Sequence, residues 1–135
     1  MRVRLTGILL FVVALAACSE PPYTNLDNAQ LQALLAQGIP IVDIRRPDEW
    51  ARTGVVESSH LITFVDDRGR PMPDFLPRFS EVADKDDPVI LICRTGNRTD
   101  VLGRLMVEKL GYTQVYNVRD GITRWIREGL PVSRI

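Results

Sequence analysis

Residues 88–99, Pro88-Val89-Ile90-Leu91-Ile92-Cys93-Arg94-Thr95-Gly96-Asn97-Arg98-Thr99, decide how the rest of the chain is read. Val89 to Ile92 carries no polar alternation, so the strand it forms must be covered on both faces, as a central parallel strand is. Beyond it, Val101, Leu102, Leu105, Met106 and Leu110 recur at helical spacing and Gly111 closes the stripe. A buried strand therefore runs through a short loop into a helix, and Cys93 stands at the junction. Thr95, Gly96 and Asn97 let the backbone curl its N–H groups inward into a nest for an anion. The helix starting between Asn97 and Thr99 directs its positive end at the same point. Arg94 and Arg98 add full charges, and Thr95 and Thr99 add hydroxyl donors. A thiol in this field is favoured as thiolate, the form that acts as nucleophile. Cysteine at a strand end can also be plain core filling. The coincidence of strand end, curled loop, arginines and helix start favours catalysis or anion binding.

The flanking sequence extends the pattern. Asp27 caps a helix with Leu31, Leu34 and Leu35 at helical spacing, and Gly38 supplies its left-handed stop. A strand is expected over Ile39 to Ile44. Pro47, Asp48 and Glu49 then suit the first turn of a short helix, where proline lacks no needed donor and acids meet the positive dipole end. His60 to Phe64 reads as a strand, Asp66 to Pro71 as a polar loop, and Phe75, Leu76, Phe79 and Val82 as a helix. Gln114 to Val118 reads as a further strand, and Gly121 to Trp125 opens a last helix stopped by Gly129-Leu130-Pro131. Strands alternating with helices predict an α/β fold, a central and mostly parallel sheet of about five strands flanked by helices on both faces. In such sheets ligands bind beyond the carboxyl ends of the strands, which is where Cys93 falls.

The 135 residues suit one domain, and 45% hydrophobic with 25% charged residues is an ordinary globular composition. The first residues read differently. Arg2 and Arg4 precede an apolar stretch, Leu5 to Ala16, that falls short of the ~20 residues needed to span a bilayer, so it reads as an export signal. Leu15-Ala16-Ala17-Cys18 resembles the lipobox of bacterial lipoproteins, in which the cysteine is lipidated and becomes the first mature residue. An ordinary secretory signal with a chance cysteine is the alternative. The expected division is a signal peptide over 1–17, a Pro21-Pro22 tether over 18–22, and one domain over 23–135. Ser19 stands where an aspartate would retain a lipoprotein in the inner membrane, so a periplasm-facing anchor in the outer membrane is favoured. With Cys18 acylated, Cys93 is the one free thiol of the mature chain. Cleavage removes two of the 17 basic residues and none of the 17 acidic ones, leaving a slight negative charge and nothing that suggests nucleic acid as a partner.

From Tyr23 to Ser133 the chain resembles a single-domain rhodanese, a sulfurtransferase module. Three segments carry the resemblance: Ile41-Val42-Asp43-Ile44-Arg45 with Pro47, Glu49 and Trp50; the Cys93–Thr99 loop; and Gly121-Ile122-Thr123-Arg124-Trp125 with Gly129-Leu130-Pro131-Val132. One segment departs. Gly54-Val55-Val56-Glu57-Ser58-Ser59 replaces the family's Gly-His-Ile-Pro-Gly-Ala, so a different loop shape and altered substrate access are expected there. The resemblance implies that Cys93 takes a sulfane sulfur from an anionic donor such as thiosulfate, holds it as a persulfide, and passes it to a thiol or cyanide-like acceptor. It implies that Arg94 and Arg98 bind the donor, that backbone N–H groups of Arg94 to Arg98 hold the persulfide, and that no metal or organic cofactor is needed. Asp43 and Arg45 are assigned to structural support, with Arg45 and Glu49 spaced to pair.

Two other readings compete. Cysteine phosphatases and arsenate reductases place five residues between cysteine and arginine, whereas four separate Cys93 from Arg98, a smaller loop that suits one sulfur atom better than a phosphoryl group. A module that senses sulfur or binds a partner without turnover is the alternative from another class, and the retained Cys93 speaks for activity. His60, the single histidine, opens a strand remote from Cys93 and reads as a surface residue. Trp50, Trp125 and Met106 read as core.

Overall fold

The computed structural model describes residues 19–135; the expected leader and Cys18 lie outside them. The chain runs β1 (Thr24–Leu26), α1 (Asn28–Ala36), β2 (Ile41–Asp43), α2 (Pro47–Thr53), β3 (His60–Leu61), α3 (Phe75–Ser80), β4 (Pro88–Ile92), α4 (Asn97–Glu108), β5 (Gln114–Val118) and α5 (Gly121–Arg127). All five strands join one sheet in the order β1-β5-β4-β2-β3, and every pairing is parallel.

β4 is the middle strand. Ile90, Leu91 and Ile92 are opposite Ile41, Val42 and Asp43 of β2, while Val89 to Leu91 are opposite Val115 to Asn117 of β5. Its side chains alternate between two cores. Val89 and Leu91 pack with Phe75 and Phe79 of α3 and with Leu102 and Met106 of α4. Ile90 and Ile92 pack with Leu31 of α1 and with Ile122 and Trp125 of α5. Helices therefore cover both faces, which is why the run needed no polar position. Phe64, Phe75, Phe79 and Tyr112 extend the first core as a chain of tilted and edge-on rings with centroids 5.2–5.6 Å apart.

Helix ends follow the expected chemistry, with one addition. Asp27 accepts from the Gln30 amide at 2.8 Å, and the Gln30 side chain accepts from the Asp27 amide at 2.9 Å, a reciprocal capping box. Strand lengths depart from expectation. β2 spans only Ile41–Asp43, because the Ile39 amide is already engaged by the Leu34 carbonyl at the end of α1 and Pro40 has no N–H. β3 stops at Leu61, although the amides of Ile62 and Phe64 still bond the carbonyls of Asp43 and Ile44. α3 ends at Ser80 rather than reaching Val82. β1 has no counterpart in the sequence reading, since three residues of an edge strand carry no periodic signal.

Tyr23 fixes the entry to the sheet. Its hydroxyl donates to Asp100 on α4, and burial, followed by that hydrogen bond, pushes its phenol up to about 12. The ring lies against Gly103 of α4, where an added Cβ would sit 2.7 Å from Cδ1. Gly103→Ala is expected to destabilise the domain by about 1–3 kcal/mol through this forced displacement, read as a lowered urea midpoint with unchanged slope.

Candidate active site

The connection after β2 leads outward to β3 and that after β4 leads to β5 on the other side, so the carboxyl ends of β2 and β4 open a crevice between them. Cys93 lies at this edge, 1% exposed. Its sulfur receives the Gly96 amide at 3.2 Å and lies 3.4 Å from the Thr99 hydroxyl, which also donates to the Gly96 carbonyl at 3.1 Å. Gly96 is the residue before α4 and is left-handed, with φ 94°. No side chain caps that end of α4, so its first-turn amides have no partner within the helix.

The loop holds this shape because the C-terminal segment braces it. The amides of Ile122 and Thr123 donate to the carbonyls of Cys93 and Arg94 at 2.9 and 3.1 Å. A Cβ on Gly121 would lie 2.3 Å from the Arg94 carbonyl oxygen, and one on Gly96 would lie 2.1 Å from that of Arg119. Two backbones thus pass at contact distance with a glycine on each side.

Asp43 and Arg45 form a fully buried pair below the crevice. The Arg45 Nε and Nη2 donate to the Asp43 carboxylate at 2.9 and 2.7 Å, and the remaining donors reach the Thr53 hydroxyl at 2.8 Å and the Gly54 carbonyl at 3.0 Å. The last two contacts tie the end of β2 to the end of α2. The expected Arg45–Glu49 pair does not form, because Asp43 and the α2 C-terminus take up the guanidinium.

Glu49 pairs instead with Arg98. Nη1 and Nη2 of Arg98 donate to its two carboxylate oxygens at 2.8 and 2.7 Å, and the Arg46 amide donates to it at 3.0 Å. Burial alone would raise the Glu49 carboxyl; the hydrogen bonds from Arg98 and the Arg46 amide, with both guanidinium charges, outweigh it and hold the group at about 2. The same pairing raises Arg98. Arg98 is thus a strut between α2 and α4, while Arg94 is exposed and has no carboxylate within 4 Å among the described residues. Thr95 and Asn97 are exposed on the loop.

A cleft of about 500 Å³ opens beside the loop, lined by Arg94, Arg98, Arg46, Glu49 and Arg52 and, from the far side, by the Val65–Gly69 segment. Sequence reasoning missed Arg46, Arg52, Asp66 and Asp67 here; their charge density was the available signal, but nothing local shows that a loop about thirty residues upstream lines the same cleft as Arg94 and Arg98. The segment Gly54–Ser59 is placed elsewhere. Val56, Glu57 and Ser58 line a separate, largely apolar cleft with Leu35, His60, Trp125 and Pro131. His60 is exposed and makes no contact with the thiol's partners, and Trp50, Trp125 and Met106 are buried. Among the described residues, no cluster of three or more His, Cys, Asp or Glu is arranged to hold a metal ion.

The Rhodanese-like domain family matches residues 27–128. The chain belongs to this family. A sulfurtransferase of Allochromatium vinosum is 33% identical over 110 residues, covering 80% of this chain and 92% of that one. The thiosulfate sulfurtransferase GlpE of Pseudomonas fluorescens is 31% identical over 103 residues, covering 76% and 84%. Among solved structures, the polysulfide-sulfur transferase homodimer of Wolinella succinogenes superposes with a TM-score of 0.65 at 24% identity, covering 84% of this chain and 80% of that one. This rhodanese-like chain therefore shares fold and family with sulfurtransferases.

Glu49→Gln isolates the strut. The Glu49 carboxyl is ionised in the folded protein down to about 2, against an ordinary 4.5. Its stabilisation is fully present above 4.5 and is lost as pH falls from there toward 2. The variant is expected to be less stable at neutral pH by about 1.5–3 kcal/mol, with a shallower loss of urea-unfolding free energy over that acid range.

Proposed function

We propose that this rhodanese-like protein transfers sulfane sulfur from a small anionic donor such as thiosulfate to a thiophilic acceptor. The observation that carries the reading is the Cys93 sulfur, held at 3.2 Å by the Gly96 amide beside the uncapped start of α4. The Cys93 thiolate attacks the outer sulfur of thiosulfate; its electron pair forms the new S–S bond, the donor's S–S bond breaks, and sulfite leaves with the bonding pair. The persulfide anion remains, stabilised by the loop amides and the helix start. An acceptor nucleophile then takes the outer sulfur and returns Cys93 as thiolate.

Arg94, the uncommitted guanidinium, binds the donor's anionic end, whereas Arg98 supports the loop through Glu49. This refines the assignment of both arginines to the donor. The four-residue spacing between Cys93 and Arg98 supports sulfur over phosphoryl chemistry. Incubation with thiosulfate is expected to add the mass of one sulfur atom to the protein, and Cys93→Ala to abolish the adduct. Arg94→Ala should raise KM for thiosulfate about threefold to tenfold with a smaller change in kcat. Hydrolysis of an aryl phosphate without any sulfur adduct would overturn the reading.

The export reading belongs to the same proposal. Cys18 carries the lipid, residues 18–22 tether the domain, and the domain faces the periplasm from the outer membrane. The Leu15-Ala16-Ala17-Cys18 motif supports this, as do exposed Ser19 and Glu20 ahead of β1. In a bacterial host fed labelled palmitate, the full-length chain is expected to take up label and fractionate with membranes, and Cys18→Ser to do neither.

A further inference from the structure

The cleft beside the catalytic loop is crowded with charge, and almost all of it is internally neutralised. Arg98 is bound by Glu49, Arg46 by Asp48 and Glu49, and Arg52 reaches Asp48 at 3.6 Å. Asp66 is consumed by its own loop. It accepts from the amides of Arg68 and Arg70, each at 2.9 Å, and from Arg70 Nε at 2.7 Å, contacts that hold its carboxyl below the usual range, the Arg70 amide first. Of the cleft's lining residues, two side chains are left without an oppositely charged partner within 4 Å among the described residues: Arg94 and Asp67. One cation and one anion thus remain unspent in the same space.

Asp67 does not stand on a loose tip. The Asp66 amide bonds the Arg70 carbonyl at 2.9 Å, the Gly69 amide bonds the Asp66 carbonyl at 3.1 Å, and Val65 pairs with Pro71 in an antiparallel bridge. The segment is a closed hairpin that presents Asp67 to the cleft while Arg94 lies on the catalytic loop itself. A volume of about 500 Å³ falls within the range that accepts a small organic molecule. A purely anionic ligand satisfies Arg94 and leaves Asp67 facing it. A ligand with both charges satisfies both.

We propose that this cleft selects a zwitterionic amino-acid thiol as sulfur acceptor, its carboxylate on Arg94 and its ammonium on Asp67. The proposal rests on the sulfurtransferase reading and names the acceptor class that reading leaves open. Departure of sulfite frees Arg94, so the same guanidinium serves donor and acceptor in turn. The acceptor thiol loses its proton to solvent and its thiolate attacks the outer sulfur of the Cys93 persulfide. A new S–S bond forms, the Cys93 S–S bond breaks, and Cys93 leaves as thiolate; the product is the acceptor's persulfide, with no net oxidation or reduction.

The test uses the protein loaded with sulfur from thiosulfate, freed of donor, and followed by mass as the persulfide decays. Acceptors are cysteine, glutathione, 3-mercaptopropionate lacking the ammonium, cysteamine lacking the carboxylate, and neutral 2-mercaptoethanol, with each rate expressed per thiolate. Cysteine or glutathione is expected to exceed each singly charged thiol by about threefold to fivefold at low salt, and the preference should shrink as salt is added. Which of the two is faster separates a free amino acid from a peptide. In Asp67→Asn the ratio of cysteine to 3-mercaptopropionate should fall to near one, and in Asp67→Lys it should invert. Asp67 is exposed and makes no side-chain hydrogen bond, so both variants are expected to melt like the parent, which is checked first. Equal rates for all thiols, or a ratio unchanged in Asp67→Asn, would overturn the acceptor assignment while leaving sulfur transfer intact. Failure of the persulfide to form would instead overturn the underlying reading.

Discussion

The carbonyl groups of Cys93 and Arg94 are held by two amides at the start of α5, and the geometry of the site depends on that junction. Those bonds require the Gly121 backbone to pass against the Arg94–Thr95 peptide with no room for a side chain. Once the carbonyls are turned toward α5, the loop has only the opposite direction for the Gly96 amide, and it meets the sulfur there. The junction also explains why the strand before Cys93 must be buried on both faces. α5 reaches the loop because Ile122 and Trp125 pack on one face of β4, while α4 leaves the loop packed on the other.

Charge at the site is arranged by the same economy. Arg45, buried against Asp43, locks the end of β2 to the end of α2 through Thr53 and Gly54, and the Glu49–Arg98 pair then joins α2 to α4. Removing one partner of such a pair leaves the other charge buried without compensation, so each acts more as a specification of geometry than as surplus stability. The consequence for chemistry is subtraction. Most guanidinium groups near Cys93 are already paired with carboxylates, and what remains at the mouth is set by the one left over on the loop and by a carboxylate arriving from the 65–71 hairpin.

Elements with strong local signals were legible before any coordinates: the run Val89 to Ile92, the stripe of α4, the Asp27 cap, and Pro47 at the start of α2. Elements whose limits depend on neighbours were not. β2 is trimmed because α1 claims the amide of Ile39, and β3 because only its first two residues keep a regular ladder with β2. β1 is a strand solely because β5 offers it an edge. Glu49 pairs away from the local expectation for the same reason. A spacing of four residues on one element is a local argument, and Arg98, forty-nine positions away, competes for the same carboxylate and wins by approaching with two parallel donors.

The sequence by itself determined the α/β class, the position of a thiol at the carboxyl edge of a central strand, and the anion-favouring character of the loop after it. These follow from periodicity, backbone freedom and helix polarity, which act over a few residues. Only the tertiary structure decided which arginine is free, which carboxylates line the cleft, and that α5 braces the loop. Those outcomes turn on which of several like-charged or hydrogen-bonding groups come within 3–4 Å across long stretches of chain, and packing alone settles that competition.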